Sequence, residues 1–382
     1  MHTFTRGVVG AAVALASIIV IAGCSVPSTP TAEVSAPTAP TGTPAPTDAA
    51  TTVDFGPAPD TTGRLACSTA LPDDLVAALV PGLRAVDTLT DAAHIAGSEA
   101  FVPGAGGIVC DRSNGVAPLD DHVPGRAGET LFEGVRLSVL PDARAALAEH
   151  DEYNGGGAPT ACGASDSARV YCTADVLAGN AWVHLASTRL QDDTDATPDQ
   201  AQPAFDALLS AVVRQVSGSP LGTRSDGSTT SDGSTTDDGS ITTCDATNVN
   251  AVTATELAVG PFVNSSTAPE ADDFARNRVG GDSCVFIGSA GSYPTADALF
   301  TRVPDAGWIV QRRLGAGTVA RAERLDVDGL GARDAAWRTC DDDACTVDVV
   351  HDGDWTHYVL FRRAAPDTSG AIARWVASSF GR

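Results

Sequence analysis

Cys172-Thr-Ala-Asp-Val-Leu-Ala-Gly-Asn-Ala-Trp182-Val-His184-Leu-Ala-Ser-Thr-Arg189 and Cys345-Thr-Val-Asp-Val-Val-His-Asp-Gly-Asp-Trp355-Thr-His357-Tyr-Val-Leu-Phe-Arg362 are two versions of one stretch. They align without a gap at an offset of 173 residues, and Cys, Thr, Asp, Val, Trp, His and Arg coincide. Each version reads as a β-hairpin. A hairpin written twice implies a duplicated domain, and the rest of the chain can be tested for the same repeat.

The cysteines repeat with it. Apart from Cys24 they fall as Cys67, Cys110, Cys162, Cys172 and then Cys244, Cys284, Cys340, Cys345, two long gaps and a short one each time. An even count in an exported chain reads as disulfides. Of the three connectivities open to each set of four, the reading adopted is Cys67–Cys110 with Cys162–Cys172, and Cys244–Cys284 with Cys340–Cys345. The short-gap pairs would staple neighbouring strands around Gly163–Asp166 and Asp341–Ala344. Loop-closure entropy assigns about 4 kcal/mol to the long loops and about 2 kcal/mol to the shortest. Metal thiolates are the alternative; the lack of any Cys-x-x-Cys spacing and the exported setting speak against them.

Other segments repeat in order. Val135-Arg-Leu-Ser-Val-Leu-Pro141-Asp-Ala143 matches Ala298-Leu-Phe-Thr-Arg-Val-Pro304-Asp-Ala306. Each reads as a strand feeding a helix, with Pro and Asp in the first turn. Pro72 to Val80 reads as a short helix. A closing amphipathic helix follows Thr197-Pro198-Asp199, with Phe205, Leu208, Leu209, Val212 and Val216 on one face. Its counterpart carries Ile372, Trp375, Val376 and Phe380. The expected fold is α+β: two tandem homologous domains, each an antiparallel β-meander sheet with helices packed on one face.

The expected boundaries are a lipoprotein signal peptide over 1–23, a stalk over 24–62, a first domain over 63–217, a linker over 218–240 and a second domain over 241–382. Arg6 and the apolar run Gly7–Ile21 form the leader, too short to span a membrane comfortably. It ends at Ile21-Ala22-Gly23-Cys24, which resembles the bacterial lipobox. That resemblance implies thioether lipidation of Cys24, an anchor in the cell membrane and a place on its outer, extracytoplasmic face. The Thr/Pro stalk cannot bury apolar area, and its extended contour is on the order of 100 Å. The linker writes Ser-Asp-Gly-Ser-Thr-Thr twice from Ser225 and lacks the terminal Glu of a calcium loop.

Composition narrows the chemistry. The formal charge of −24 repels phosphate backbones and anionic lipid, so no nucleic-acid partner is expected. The 382 residues include no lysine, which removes Schiff-base chemistry, Ser-Lys dyads and a P-loop lysine together. No Gly-x-Ser-x-Gly elbow, His-Glu-x-x-His or Walker sequence occurs; Gly288-Ser289-Ala290-Gly291 has the wrong frame. No cofactor, metal or catalytic residue is assigned.

Two groups remain as candidates. Trp182 and His184, and likewise Trp355 and His357, lie two apart on a strand and share a face. They could form an aromatic and imidazole wall against a ligand, or a metal site between packed domains. A packed Trp with a hydrogen-bonded His, kept by duplication, explains the same pattern. The discriminating question is which sheet face the closing helix covers. Asp341-Asp342-Asp343, on a disulfide-pinned turn, could bind Ca²⁺ or an Arg of a partner; the preferred reading is solvated turn acids, as for Asp166, Asp192, Asp193 and Asp195.

The run Val327-Asp-Gly329-Leu330-Gly331-Ala-Arg-Asp334-Ala335-Ala336-Trp337, with the meander and closing helix after it, resembles small extracytoplasmic domains of actinobacterial envelope lipoproteins. Those domains are similar to sensor domains of actinobacterial membrane kinases. The first domain lacks the Gly-Leu-Gly-x-x-Asp run and has Asn154-Gly-Gly-Gly157 instead. The resemblance implies envelope binding or sensing. The expected function is therefore a monomeric, lipid-anchored, non-catalytic binding or sensor module for an envelope protein or small ligand. A cell-wall hydrolase using Asp and His, and a structural or assembly lipoprotein, are the alternatives.

Overall fold

The computed structural model describes residues 52–59, 64–91, 97–116, 132–154, 160–165, 169–190, 197–221, 246–253, 257–260, 271–288, 295–319 and 322–381. The leader, Cys24, most of the stalk and linker, Cys244, Asp166, Asp192, Asp193 and Asp195 lie outside the described residues. The first half runs α1 (Cys67–Ala70), α2 (Asp73–Leu79), β1 (Arg84–Val86), α3 (Phe101–Gly104), β2 (Ile108–Ser113), β3 (Gly134–Leu140), α4 (Arg144–Tyr153), β4 (Ala161–Ser165), β5 (Arg169–Ala178), β6 (Ala181–Leu190) and α5 (Pro198–Gly218). The second runs α6 (Ala246–Thr253), β7 (Leu257–Gly260), α7 (Ala271–Val279), β8 (Asp282–Gly288), β9 (Thr295–Val303), α8 (Trp308–Ala316), β10 (Glu323–Leu325), β11 (Ala335–Cys340), β12 (Ala344–His351), β13 (Asp354–Phe361) and α9 (Thr368–Phe380).

The fold is α+β, with two antiparallel sheets. Their orders are β1-β2-β3-β6-β5-β4 and β10-β11-β12-β13-β9-β8-β7. Read from the other end, the second repeats the first strand for strand and adds β10 at one edge. The hairpins β5–β6 and β12–β13 stand inside each sheet, flanked by β4 and β3 or by β11 and β9. The disulfides Cys67–Cys110, Cys162–Cys172 and Cys340–Cys345 are present. The short-gap pairs join directly opposed residues of β4–β5 and β11–β12, as their spacing predicts. Cys284 is also disulfide-bonded. Such bonds persist in oxidising compartments and fit an extracytoplasmic domain. No helix among the described residues is long and apolar enough to cross a membrane.

The closing helices follow from their sequence. Thr197 accepts from the Gln200 backbone N–H, and the Gln200 side chain returns the bond, making a capping box. Phe205, Leu208, Val212 and Val216 are buried against the first sheet's inner face, with Val135, Leu137 and Val183. In α9, Ile372, Trp375 and Val376 bury against Val347, Tyr358 and Leu360.

The Pro-Asp pairs differ from expectation. Helix α4 starts at Arg144 and α8 at Trp308, so Pro141-Asp142 and Pro304-Asp305 precede the first helical turn. Asp142 and Asp305 have φ of 49° and 55°. A helical first turn cannot hold that left-handed conformation, whereas Asp tolerates it in a tight turn. Each turn is tied to the adjacent hairpin tip. Ala143 N donates to Asn180 O at 3.0 Å, and Gly307 N donates to Gly353 O at 2.8 Å.

The sheet faces away from α5 and α9 are not left to solvent. Residues 50–382 form one compact unit. A core cluster draws on both halves, with Phe101, Val102, Leu140, Leu147 and Trp182 from the first and Ala275, Val279, Val303, Ile309, Val350 and Trp355 from the second. The short helices before β2 and β8 cross over. A Cβ built on Gly97, just before α3, would lie 3.1 Å from the Trp355 ring and 3.5 Å from His357, both in the second sheet. One on Gly281 would meet the Phe101 ring at 2.5 Å and Arg302 O at 2.9 Å, so only glycine lets the β8 backbone approach so closely. In return, Phe274 of α7 packs edge-on to Trp182 at 5.4 Å, and Ser138 Oγ donates to Asp272 Oδ1 at 3.4 Å. Arg278 donates to the carbonyls of Pro141 and Asp142. Each half therefore supplies part of the cover for the other's sheet.

Candidate functional site

The hairpin register builds the same polar cluster twice. Asp175 stands opposite His184, and Asp348 opposite His357. Each Trp lies two residues before its His, on the same face. One carboxylate oxygen can therefore accept from both side chains. Asp175 Oδ1 accepts from Trp182 Nε1 at 2.7 Å and His184 Nδ1 at 2.8 Å. Asp348 Oδ1 accepts from Trp355 Nε1 at 2.9 Å and His357 Nδ1 at 2.8 Å.

A third group comes from the helix after the Pro-Asp turn. At the offset of 163 that relates Pro141 to Pro304, His150 corresponds to Arg313. His150 Nε2 lies 3.6 Å from Asp175 Oδ2, and Arg313 Nη1 lies 3.4 Å from Asp348 Oδ1. The two copies thus differ in one way that matters: a titratable imidazole in the first, a permanent guanidinium in the second.

Burial alone pushes the Asp175 carboxyl up, but the His184 hydrogen bond and charge, the Trp182 bond and the His150 charge outweigh it and hold it below the ordinary range. For Asp348 burial again raises, while Arg313, His357 and Trp355 pull the carboxyl well below that range. A carboxylate depressed in the folded state contributes stability that is present above the unfolded value and lost as pH falls through the folded one. The chain is therefore expected to lose stability as pH drops below 3.8, the ordinary carboxylate value. Urea midpoints across pH 2–6 should fall less steeply in Asp175→Asn than in the unaltered chain; identical slopes would remove Asp175 from the account.

The structure places Trp182, His184, Trp355 and His357 on the faces away from the closing helices. Those faces are pressed into the shared core rather than open. The His357 side chain is fully buried, and that of His184 is 15% exposed. Ser138, His184 and Asp175 stand in one row across β3, β6 and β5, and Thr301, His357 and Asp348 repeat it across β9, β13 and β12. Hydroxyl, imidazole and carboxylate in line are the elements of a nucleophilic triad. Both hydroxyl residues are 1% exposed, however.

The Asp341 carboxylate has a local role. It accepts from the Asp343 and Ala344 backbone N–H groups at 2.8 and 2.9 Å, shaping the turn between β11 and β12.

A cluster that the sequence reading did not single out lies at the tip of the second hairpin. Gly331 N donates to Asp334 Oδ2 at 2.7 Å, and Asp352 N donates to Asp334 Oδ1 at 3.1 Å. The Gly-Leu-Gly-x-x-Asp run thus closes on itself and presents the Asp334 carboxylate to His351. Gly329, at φ +94°, supports the loop: a Cβ there would lie 2.1 Å from Phe380 O at the end of α9. His351 Nδ1 lies 2.8 Å from Asp334 Oδ2, and its Nε2 lies 3.6 Å from Asp352 Oδ2. Burial raises the Asp334 carboxyl, but His351 and the two backbone donors leave it below the ordinary range. Asp334 also lines a groove of about 440 Å³ with Arg324, Asp326 and Leu330. In the first half the matching hairpin tip is Ala178-Gly179-Asn180, so the cluster belongs to one copy alone. A second groove, of about 780 Å³, runs past Asp73, Arg84 and Arg112 near β1.

Comparison with known proteins finds no matching family model, curated protein or solved structure.

Proposed function

We infer that the chain is a lipid-anchored, extracytoplasmic binding or sensor-type module that performs no catalysis. The observation that carries this reading is the burial of both hairpin Asp–His pairs in the core between the halves. The Asp175 and Asp348 carboxylates are occupied by Trp, by His and by His150 or Arg313. The disulfides and the lipobox-like Cys24 support the location, and the surface grooves offer places for an envelope ligand or partner. A hydrolase reading would recruit the Ser138–His184–Asp175 row, and the burial of Ser138 weighs against it. Release of soluble fragments from cell wall, abolished by Ser138→Ala, would favour that alternative.

The anchor is tested by fractionation. Cys24→Ala is expected to move the protein from the membrane fraction into the medium. A variant that stays with the membranes after a high-salt wash would contradict it.

A further inference from the structure

We propose that His351 and Asp352 bind a divalent transition-metal cation of the zinc class, with Asp334 as the carboxylate that orients the imidazole. Asp334, His351 and Asp352 bring their ligand atoms within 4.8 Å of one another. The proposal is independent of the binding reading above, because it concerns a different residue set and an ion of stated chemistry.

An ionised carboxylate only accepts, so the bond from His351 to Asp334 requires the hydrogen on Nδ1. In the neutral ring Nε2 then carries a lone pair, and it faces Asp352 Oδ2, another acceptor, at 3.6 Å. Two acceptors turned toward each other repel unless a proton on Nε2 or a metal cation sits between them. The spacing suits an ion. Zinc bonds to imidazole nitrogen and carboxylate oxygen at about 2.0–2.1 Å, so a tetrahedral or slightly wider angle places the two ligand atoms about 3.4–3.6 Å apart. An imidazole with a carboxylate selects zinc-class ions over magnesium or calcium, which take oxygen ligands. A carboxylate on the far ring nitrogen is the usual companion of a metal-bound histidine, fixing its tautomer and orientation.

The rest of the surroundings agrees. Asp334 is held by two backbone N–H groups and does not depend on the ion for its place. The His351 ring is further fixed edge-on to Phe380 at 5.3 Å. The Asp352 side chain is 88% exposed, so it is free to close on an ion from solvent. Asp352 has φ of 52° where the sister hairpin has Gly179, at φ 65°. Two protein ligands leave coordination positions open to water or to an anionic group of a second molecule.

Isothermal titration of the full chain with zinc chloride, repeated with cobalt(II) read by its visible absorption, tests the site. Seven histidines in the chain make stoichiometry alone insufficient, so variants decide. The expected result is one equivalent that is lost in Asp352→Asn and in Asp352→Gly, the latter restoring the sister residue. Asp334→Asn should weaken that equivalent about 10–100-fold. Because the Asp352 side chain is exposed, Asp352→Asn, which keeps a residue that tolerates the left-handed turn, should keep the metal-free thermal midpoint, which separates lost binding from lost fold. Absence of binding to the unaltered chain, or binding equal in Asp352→Asn, would overturn the proposal.

Discussion

Asp348→Ala is expected to destabilise the folded chain by about 3–5 kcal/mol, and Asp175→Ala by clearly less. The reason lies in the third member of each cluster. Asp348 is 1% exposed and faces Arg313, itself 5% exposed. Arg cannot discharge itself, so removing the carboxylate strands a buried guanidinium. The Trp355 Nε1 and His357 Nδ1 donors lose their acceptor at the same time. In the first copy the helix supplies His150, and both imidazoles there can shed a proton and become neutral. Asp175→Ala then costs two hydrogen bonds and a small cavity without stranding a charge. Urea unfolding of the two variants at neutral pH measures the difference. Equal losses would show that the cation on α8 is not electrically coupled to Asp348 as the geometry requires.

Phe101→Ala is expected to be comparably severe, at about 3–5 kcal/mol. Phe101 belongs to the first half by sequence, on α3, and is 2% exposed. Its ring stands against Gly281, where the second half enters β8. Truncation would open a cavity between α3, α7 and both sheets. Phe55, from the end of the stalk, stacks on Trp337 at 5.9 Å. Phe55→Ala is the useful contrast, since Phe55 is only partly buried and should cost much less.

Much of this fold was legible in the sequence because duplication writes each local signal twice. The hairpins and the short-gap disulfides depend on contacts within about 20 residues, and the closing helices announce themselves by their own periodicity and caps. Their signatures (alternation around Trp182 and Trp355, the Thr197 cap, the paired cysteines) survive without tertiary information. The exchange of α3 and α7 was not legible. Phe101-Val-Pro-Gly104 is four residues long and has no helical period to read. Its burial comes from α7 and the entry to β8, about 180 residues away, together with its own β2 and β3. The same gap explains the hairpin histidines. The sequence placed each Trp–His pair on one face and could not say what that face meets. Asp334 and His351 come together one step beyond the Ala335–Val350 pair of β11 and β12, a register that the Cys340–Cys345 staple already implies; what the spacing does not announce is that the Gly331 and Asp352 backbone N–H groups hold the Asp334 carboxylate there. His150 and Arg313 went unpaired in the sequence because a positive charge late in an amphipathic helix usually reads as solvated surface.

The two homologous halves share one core and are expected to fold as one unit, rather than as beads on a flexible linker. Differential scanning calorimetry of the unaltered chain and of Phe101→Ala tests it most directly. A shared core predicts one cooperative transition in the unaltered chain, with calorimetric and van't Hoff enthalpies in agreement, and a single lower transition in the variant. Two resolved transitions, with only the first-half transition shifted by Phe101→Ala, would contradict it.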